Sequence, residues 1–244
     1  MAIDLSGKVC VITGADEGLG YGLALGFLAR GARVAAGVLN SPSLPGLESA
    51  LVVPMDVTNE SQVTAAIDRV IQTFGRIDVL VNNAGVYPRL AADAMSRSEW
   101  RKVLDINLDG SWHCAHAVIP HMKASGGGSI INVGSVSLRL GTPNQAHYHA
   151  SKGGVVGLTR GLARDLGRYG IRVNCLHPGA ILTDGERRLF PDEEATLREM
   201  NQRQSIPGRL TPESVEPTFA FFASSESSPI TGQCLTVDKG WTHG

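Results

Sequence analysis

Short apolar runs and longer periodic stretches alternate along the whole chain. Residues 9–13, 32–36, 51–55, 77–81, 129–133, 171–175 and 234–237 are brief, bounded and rich in β-branched side chains, the pattern of strands buried on both faces. Between them apolar positions recur at spacings of three and four. Leu19, Leu23, Phe27 and Leu28 make one such stretch, Val63, Ala66, Ile67, Val70, Ile71 and Phe74 a second, and Val155, Thr159, Leu162 and Leu166 a third. That period predicts helices with one apolar face turned toward a sheet. The alternation predicts βαβ units and hence an α/β fold: a doubly wound, Rossmann-type parallel sheet of seven strands with helices on both faces.

Two stretches break the rhythm. Leu39 to Gly46 holds two prolines and leaves little room for a crossover helix, which predicts an irregular connection. Residues 182–207 are charged and lack strand character; connections of that length in compact domains are commonly lids or binding loops. They are expected to form a substrate loop with a short helix over 193–200. No repeat, linker or composition break divides residues 1–244, which predicts one domain.

Composition removes several classes of function. With 43% hydrophobic and 18% charged residues the chain is globular rather than disordered. Lys plus Arg number 22 against 23 Asp plus Glu, a formal charge of -1, so the basic footprint of a nucleic-acid binder is missing. No run approaches the roughly 18 apolar residues of a membrane span, and the first residues lack the pattern of a signal peptide. Cys10, Cys114, Cys175 and Cys234 are far apart without a CxxC pair, which predicts neither a disulfide scaffold nor a zinc framework and suits a reducing cytoplasm. The seven histidines show no metal-ligand spacing either, so no metal is expected.

The first predicted strand runs into Thr13-Gly-Ala-Asp-Glu-Gly-Leu-Gly20 and then a helical pattern. Glycines there allow a tight turn and close backbone approach to a pyrophosphate, while the helix presents unpaired N–H groups. Further motifs follow in order: Asn82-Asn-Ala-Gly85 after the fourth strand, Tyr148-His-Ala-Ser-Lys152, and Pro178-Gly179 after the sixth. Together they resemble the short-chain dehydrogenase/reductase family over essentially the whole chain. The resemblance implies a pyrophosphate turn of Gly14, Gly18, Leu19 and Gly20, adenine contacts from Asp56 and Val57, and a wall beside the adenosine ribose from Asn83, Ala84 and Gly85. It places Pro178, Gly179, Ile181 and Thr183 along the nicotinamide, the last two at its carboxamide. Asp56 could instead cap a helix, and Asn82 could simply tie neighbouring strands.

Cofactor choice turns on charge near the adenosine ribose, where an acid suits the 2′-hydroxyl of NAD and a cation the 2′-phosphate of NADP. Where NAD-dependent relatives commonly carry Asp this chain has Val38, and no charged residue lies between Val34 and Leu47. Glu17 occupies the place of a basic residue in many NADP-preferring relatives. A 2′-phosphate would meet a negative charge without a cation, so NAD is expected and NADP is the alternative.

Tyr148 and Lys152, four residues apart, share a helix face. A phenol with a pKa near 10 is a poor base at neutral pH, and a neighbouring ammonium favours phenolate. The resemblance adds a second role for Lys152, at the nicotinamide ribose. It also implies that Ser135 binds the substrate oxygen and that Asn107 holds a water for the proton relay. The reaction implied is hydride transfer between a nicotinamide cofactor and the carbinol or carbonyl carbon of a small-molecule alcohol or ketone. Arg89, Ser137, Arg139, Asn144, Gln145, His147 and residues 184–189 could line the substrate mouth, a polar rim suited to a polyol, sugar or hydroxylated ring. The arginines could equally be solvated surface charges. Two rival functions keep the same fold: a dinucleotide-binding regulatory or scaffold protein without turnover, and a non-redox enzyme. The family chain usually carries Val-Asp-Gly-Gly near its end where this one has Val237-Asp-Lys-Gly240, which questions the local turn. Small residues Gly154, Gly157 and Gly161 on the third helical stretch would admit a second helix, and the resemblance implies a homotetramer built on that helix and on the tail from Ile230 to Gly244.

Overall fold

The computed structural model describes residues 3–40 and 44–243. Among them β1 (Val9–Thr13), β2 (Arg33–Val38), β3 (Leu51–Pro54), β4 (Val79–Asn82), β5 (Gly128–Val133), β6 (Ile171–Pro178) and β7 (Cys234–Val237) form one all-parallel sheet in the order β3-β2-β1-β4-β5-β6-β7. The helices are α1 (Gly18–Ala29), α2 (Glu60–Phe74), α3 (Arg97–Leu104), α4 (Gly110–Ala124), α5 (Ser137–Leu140), α6 (Ala146–Leu166), α7 (Asp184–Leu189), α8 (Glu193–Arg203) and α9 (Pro212–Ala223). The chain lays β1, β2 and β3 outward in one direction, then returns to set β4 on the other side of β1. Ile12 therefore faces Ala36 on one side and Val81 on the other. Strand order reverses between β1 and β4, and a crevice opens there beyond the carboxyl ends of the strands.

Right-handed crossovers put α1 and α9 on one face, packed through Leu23, Phe27, Val215 and Phe219. On the other face α2, α4 and α6 bury Val63, Ile67, Val118, Met122 and Leu166. Each such large side chain contributes roughly 1.5–3 kcal/mol through burial. The five inner strands are buried as expected, but the edges are not: Val52 on β3 is 39% exposed and Leu235 on β7 is 43% exposed. An edge strand has a neighbour on one side only.

Local signals explain where helices begin and end. Asn59 accepts a hydrogen bond from the Gln62 amide at the start of α2, and Gly75 ends it in the left-handed region. Apolar periodicity did not single out α3, α4 or α9. The last two carry Pro120 and Pro217 inside the helix, which on sequence alone reads as a break. Tertiary burial of Cys114, Val118 and Met122 nevertheless holds α4 together.

Residues 44–50 turn irregularly around buried Leu47, as expected; 41–43 of that connection lie outside the described residues. The 182–207 segment is more ordered than a loop. The expected helix runs on to Arg203 behind an Asp192 cap, and α7 precedes it, capped by the Thr183 hydroxyl accepting from the Glu186 amide at 3.1 Å. Buried Arg209 ties the two together by pairing with Glu186 and with Glu193. At the departure from Val-Asp-Gly-Gly, Lys239 adopts φ +57°, a conformation costing about 1–2 kcal/mol for a residue with a Cβ. Its ammonium donates to the Pro207 carbonyl at 2.9 Å, which offsets part of that cost. Among the described residues no helix is long and apolar enough to cross a membrane.

Candidate active site

A cleft of about 1520 Å³ lies at the strand-order reversal, bordered by the β1–α1 turn, Asn83, Ser135, Tyr148, Lys152 and Thr183. The β1–α1 turn is bolted to the loop after β4. Thr13 Oγ1 accepts from the amides of Asn83 and Ala84 at 3.0 Å, and Asn83 Nδ2 donates to the carbonyls of Thr13 at 2.9 Å and Gly14 at 3.0 Å. Gly14 turns with φ +62°, and a Cβ there would lie 2.9 Å from Ala84 Cα. Helix α1 begins at Gly18 with no side-chain cap and no acidic residue in its first turn. Its first amides and the positive end of its dipole are therefore available to an anion.

Most of the expected cofactor residues border this cleft: Gly14, Glu17, Gly18 and Leu19, then Asp56, Val57, Asn83, Ala84 and Gly85, and finally Pro178, Gly179, Ile181 and Thr183. Gly20 stands behind them as the packing point between the turn and Asn83. Val38 is a correction. It ends β2 fully buried, and the side chain that reaches the cleft rim is Leu39, 64% exposed. Asp56 caps no helix; its carboxylate accepts from the Thr58 amide and hydroxyl, and Asn59 is the cap. Glu17 is not isolated either, because Arg188 of α7 pairs with it at 3.1 Å. Asn82 donates to the Ser111 carbonyl and to Asn132 on β5, so it ties strand to helix and strand to strand.

At the inner end, α6 carries Tyr148 and Lys152 on the face toward β5. The Tyr148 phenol and Ser135 both border the cleft, and Ser135 Oγ donates to Ser137 Oγ at 2.9 Å. Lys152 is 5% exposed, and its Nζ donates to the Val133 carbonyl at 2.7 Å. Burial dominates both titrations. It pushes the Tyr148 phenol up to about 12, against the opposing pull of Ser135, and pulls the Lys152 ammonium down to about 8. The expected activation of the phenol by the ammonium is thus outweighed in the chain on its own.

Asn107 sits in a π-helical turn, residues 105–109, between α3 and α4. Its Nδ2 donates to the Val86 carbonyl at 2.9 Å and Ser151 Oγ at 3.0 Å, and its Oδ1 accepts from the Val86 amide at 2.8 Å. The side chain thereby ties the loop after β4 to α6. Of the expected substrate residues, Arg89, Ser137 and Gln145 border the cleft. Arg139 does not: it is exposed on α5, turned away from the lining. Fully buried His147 accepts from the Tyr148 amide through Nδ1.

Several lining residues went unnoticed in the sequence. Tyr87, two residues beyond the Asn-Asn-Ala-Gly motif, meets Tyr148 edge-to-face at 6.3 Å between ring centres. Phe190, Met200 and Trp241 line the mouth from three separate segments. Only Tyr87 carried a usable signal, its closeness to a motif. A second surprise lies behind the site: Cys175, His177 and Cys234 come together, each offering a ligand atom within 4.8 Å of the others, although their spacing suggested no metal set. Nδ1 of His177 lies 3.0 Å from both the amide nitrogen and the carbonyl oxygen of Ser135.

A doubly wound parallel sheet with a dinucleotide-sized crevice at its strand-order reversal is the scaffold of a nicotinamide-dependent oxidoreductase. Residues 14–242 match the family model described as enoyl-(acyl carrier protein) reductase, and the chain belongs to the short-chain dehydrogenase/reductase family. It is 39% identical to a 3-oxoacyl-[acyl-carrier-protein] reductase of Thermotoga maritima, over 97% of this chain and 98% of that one. The ligand-free aldohexose dehydrogenase of Thermoplasma acidophilum superposes with a TM-score of 0.92 at 35% identity, covering 99% of this chain and 96% of that one. A gluconate 5-dehydrogenase of Burkholderia cenocepacia, solved with NADP and tartrate, gives 0.91 at 35% identity, covering 98% and 96%.

Proposed function

We propose that the chain transfers hydride between NAD and the carbinol or carbonyl carbon of a small hydroxylated substrate, a sugar, polyol or hydroxylated ring. One observation carries the substrate class. Glu186 borders the cleft with its Oε1 paired to Arg209, while its Oε2 is buried without a hydrogen-bond partner. A hydroxylated substrate supplies the donor that this unpaired acceptor on a cleft residue lacks. Ser137 and Gln145 add further polar side chains to the lining of the same cleft, and two of the structural neighbours are named for sugar or sugar-acid oxidation.

The free amides at the start of α1 suit a pyrophosphate, and the lining from Asp56 to Thr183 suits the two nucleoside halves. When bound, the nicotinamide cofactor takes up or supplies the hydride. Ser135 holds the substrate oxygen and supports its developing charge. Tyr148 gives a proton to that oxygen in reduction and takes it in oxidation. Because burial keeps the phenol protonated, the chain is set for proton donation, and oxidation gains as pH rises. The Lys152 ammonium, held on the Val133 carbonyl at 2.7 Å, lies 5.8 Å from the centre of the Tyr148 ring, where its charge favours phenolate. Asn107 is a positioning residue, holding Val86 against Ser151 so that the first turns of α6 keep register.

NAD is preferred because Leu39 at the rim offers a 2′-phosphate nothing and Glu17 opposes it; Arg188 is already engaged with Glu17. A second reading, reduction of a 3-oxoacyl thioester, has the Thermotoga maritima relative in its favour. Near-ultraviolet absorbance of reduced nicotinamide, followed with aldoses, aldonates, polyols, cyclohexanols and a 3-oxoacyl thioester, separates the two. Turnover confined to the thioester would remove the first.

We further infer a homotetramer. Gly157 and Gly161 of α6 have no atom within 4 Å of where a Cβ would stand, leaving room for a partner helix. Gly154 does not belong with them, since it packs on Leu108 of its own chain. A self-complementary contact along α6 and another along the tail from Ile230 generate D₂ symmetry.

A further inference from the structure

The chemistry above makes no use of Cys175 or Cys234. Strand β6 sets Cys175 and His177 two residues apart on one face of the sheet. The β6–β7 register pairs Cys175 with Cys234 and His177 with Thr236, so all four side chains share that face. Cys234 faces both Cys175 and His177 across this pairing. No disulfide links the cysteines. The Ser135 backbone, 3.0 Å from Nδ1, fixes the His177 ring as outer contacts fix metal-bound imidazoles.

We propose that Cys175, His177 and Cys234 form a binding site for a thiophilic divalent cation of the zinc class, seated against the backbone of Ser135. Two sulfurs and an imidazole nitrogen are a soft donor set, which favours zinc over magnesium or calcium. Bond lengths of about 2.0–2.3 Å need ligand atoms roughly 3.5–4 Å apart. Those atoms already lie within 4.8 Å of one another, so small side-chain rotations close the site. On binding, both thiols release their protons to solvent. The two thiolates then balance the divalent charge, and no net charge is added beside the buried Lys152 ammonium. The fourth position falls to a water, as in zinc sites with three protein ligands. Cys234, half-buried on the edge strand, provides the way in.

The test uses full-length protein stripped with a chelator, kept reduced, loaded with zinc sulfate and desalted. Atomic emission is expected to find one zinc per chain in the wild type and its loss in Cys234→Ser. Cobalt(II) in place of zinc should show thiolate-to-metal charge-transfer absorption, weakened in the same variant. Should Cys175→Ser fail to fold, Cys234→Ser at the half-buried position and the cobalt spectrum decide without it. Folded wild type that retains no ion overturns the proposal. So does retention at the wild-type level in Cys234→Ser, or a thiol titration showing the pair locked as a disulfide.

Discussion

Gly20→Ala isolates the junction on which the cofactor end depends. Position 20 lies in the first turn of α1, where Ala would ordinarily gain about 0.5–1 kcal/mol over Gly. Here its Cβ would stand 2.9 Å from the Gly14 carbonyl carbon, and nearer still to the Gly14 oxygen and to Asn83 Nδ2. Relief requires moving the asparagine amide, which donates to the Thr13 carbonyl at 2.9 Å and the Gly14 carbonyl at 3.0 Å. Two hydrogen bonds at about 0.5–1.5 kcal/mol each, plus overpacking of about 1–3 kcal/mol, exceed the helix gain. The net loss is about 1–5 kcal/mol, a fall in Tm of roughly 2–20 °C for a domain of this size. Gly167→Ala is the control, since its φ of -54° and ψ of -36° are helical and no atom lies within 4 Å of the new Cβ. That variant should be neutral or gain up to about 1 kcal/mol. Thermal unfolding followed by circular dichroism, with NADH binding measured in parallel, reads both. A Gly20→Ala protein as stable as wild type, with unchanged NADH affinity, would show that the turn does not lean on Asn83.

Tyr148→Phe keeps the ring packing and removes the transferable proton, so turnover should fall by roughly 10² to 10⁴ with NADH binding retained; wild-type turnover would reject the acid–base role. Burial holds the folded Lys152 ammonium near 8 against an ordinary 10.5. The stability this group contributes is therefore full above about 10.5 and lost as pH falls through about 8, a swing of about 3 kcal/mol. Urea unfolding of wild type against Lys152→Met should show their difference moving by that amount in favour of wild type between pH 7 and 10.5, and a pH-independent difference would refute the burial argument. Wild type should show a higher kcat/KM with NAD than with NADP, and Leu39→Arg combined with Glu17→Ser should shift preference toward NADP. Light scattering should give four times the 25.8 kDa chain mass; a monomer defeats the assembly and a dimer leaves one interface.

What could be read from residue order was local. A run of β-branched residues, a period of three to four, a glycine turn between them and a Tyr four before a Lys depend on neighbours within a few positions, and the structure has them all. Pro120 and Pro217 stand inside α4 and α9, and a break signal carries no information about the sheet that holds the helix in place. The rest was set by which strands lie side by side and which face each presents. Val38 and Leu39 are adjacent in sequence, yet the pleat buries the first and sends the second to the cleft rim. Arg139 was two residues from Ser137 and still turned outward, since α5 rotates it away from the lining. The titration of Tyr148 depended on burial, not on the spacing to Lys152. Cys175 and Cys234 meet only because β6 pairs with β7 across 59 residues of chain, and Glu186 acquires its orphaned oxygen only because Arg209 satisfies the other. Side chains distant in sequence become chemistry when the hydrogen-bonded register of the sheet brings them to one face, and no local pattern encodes that register.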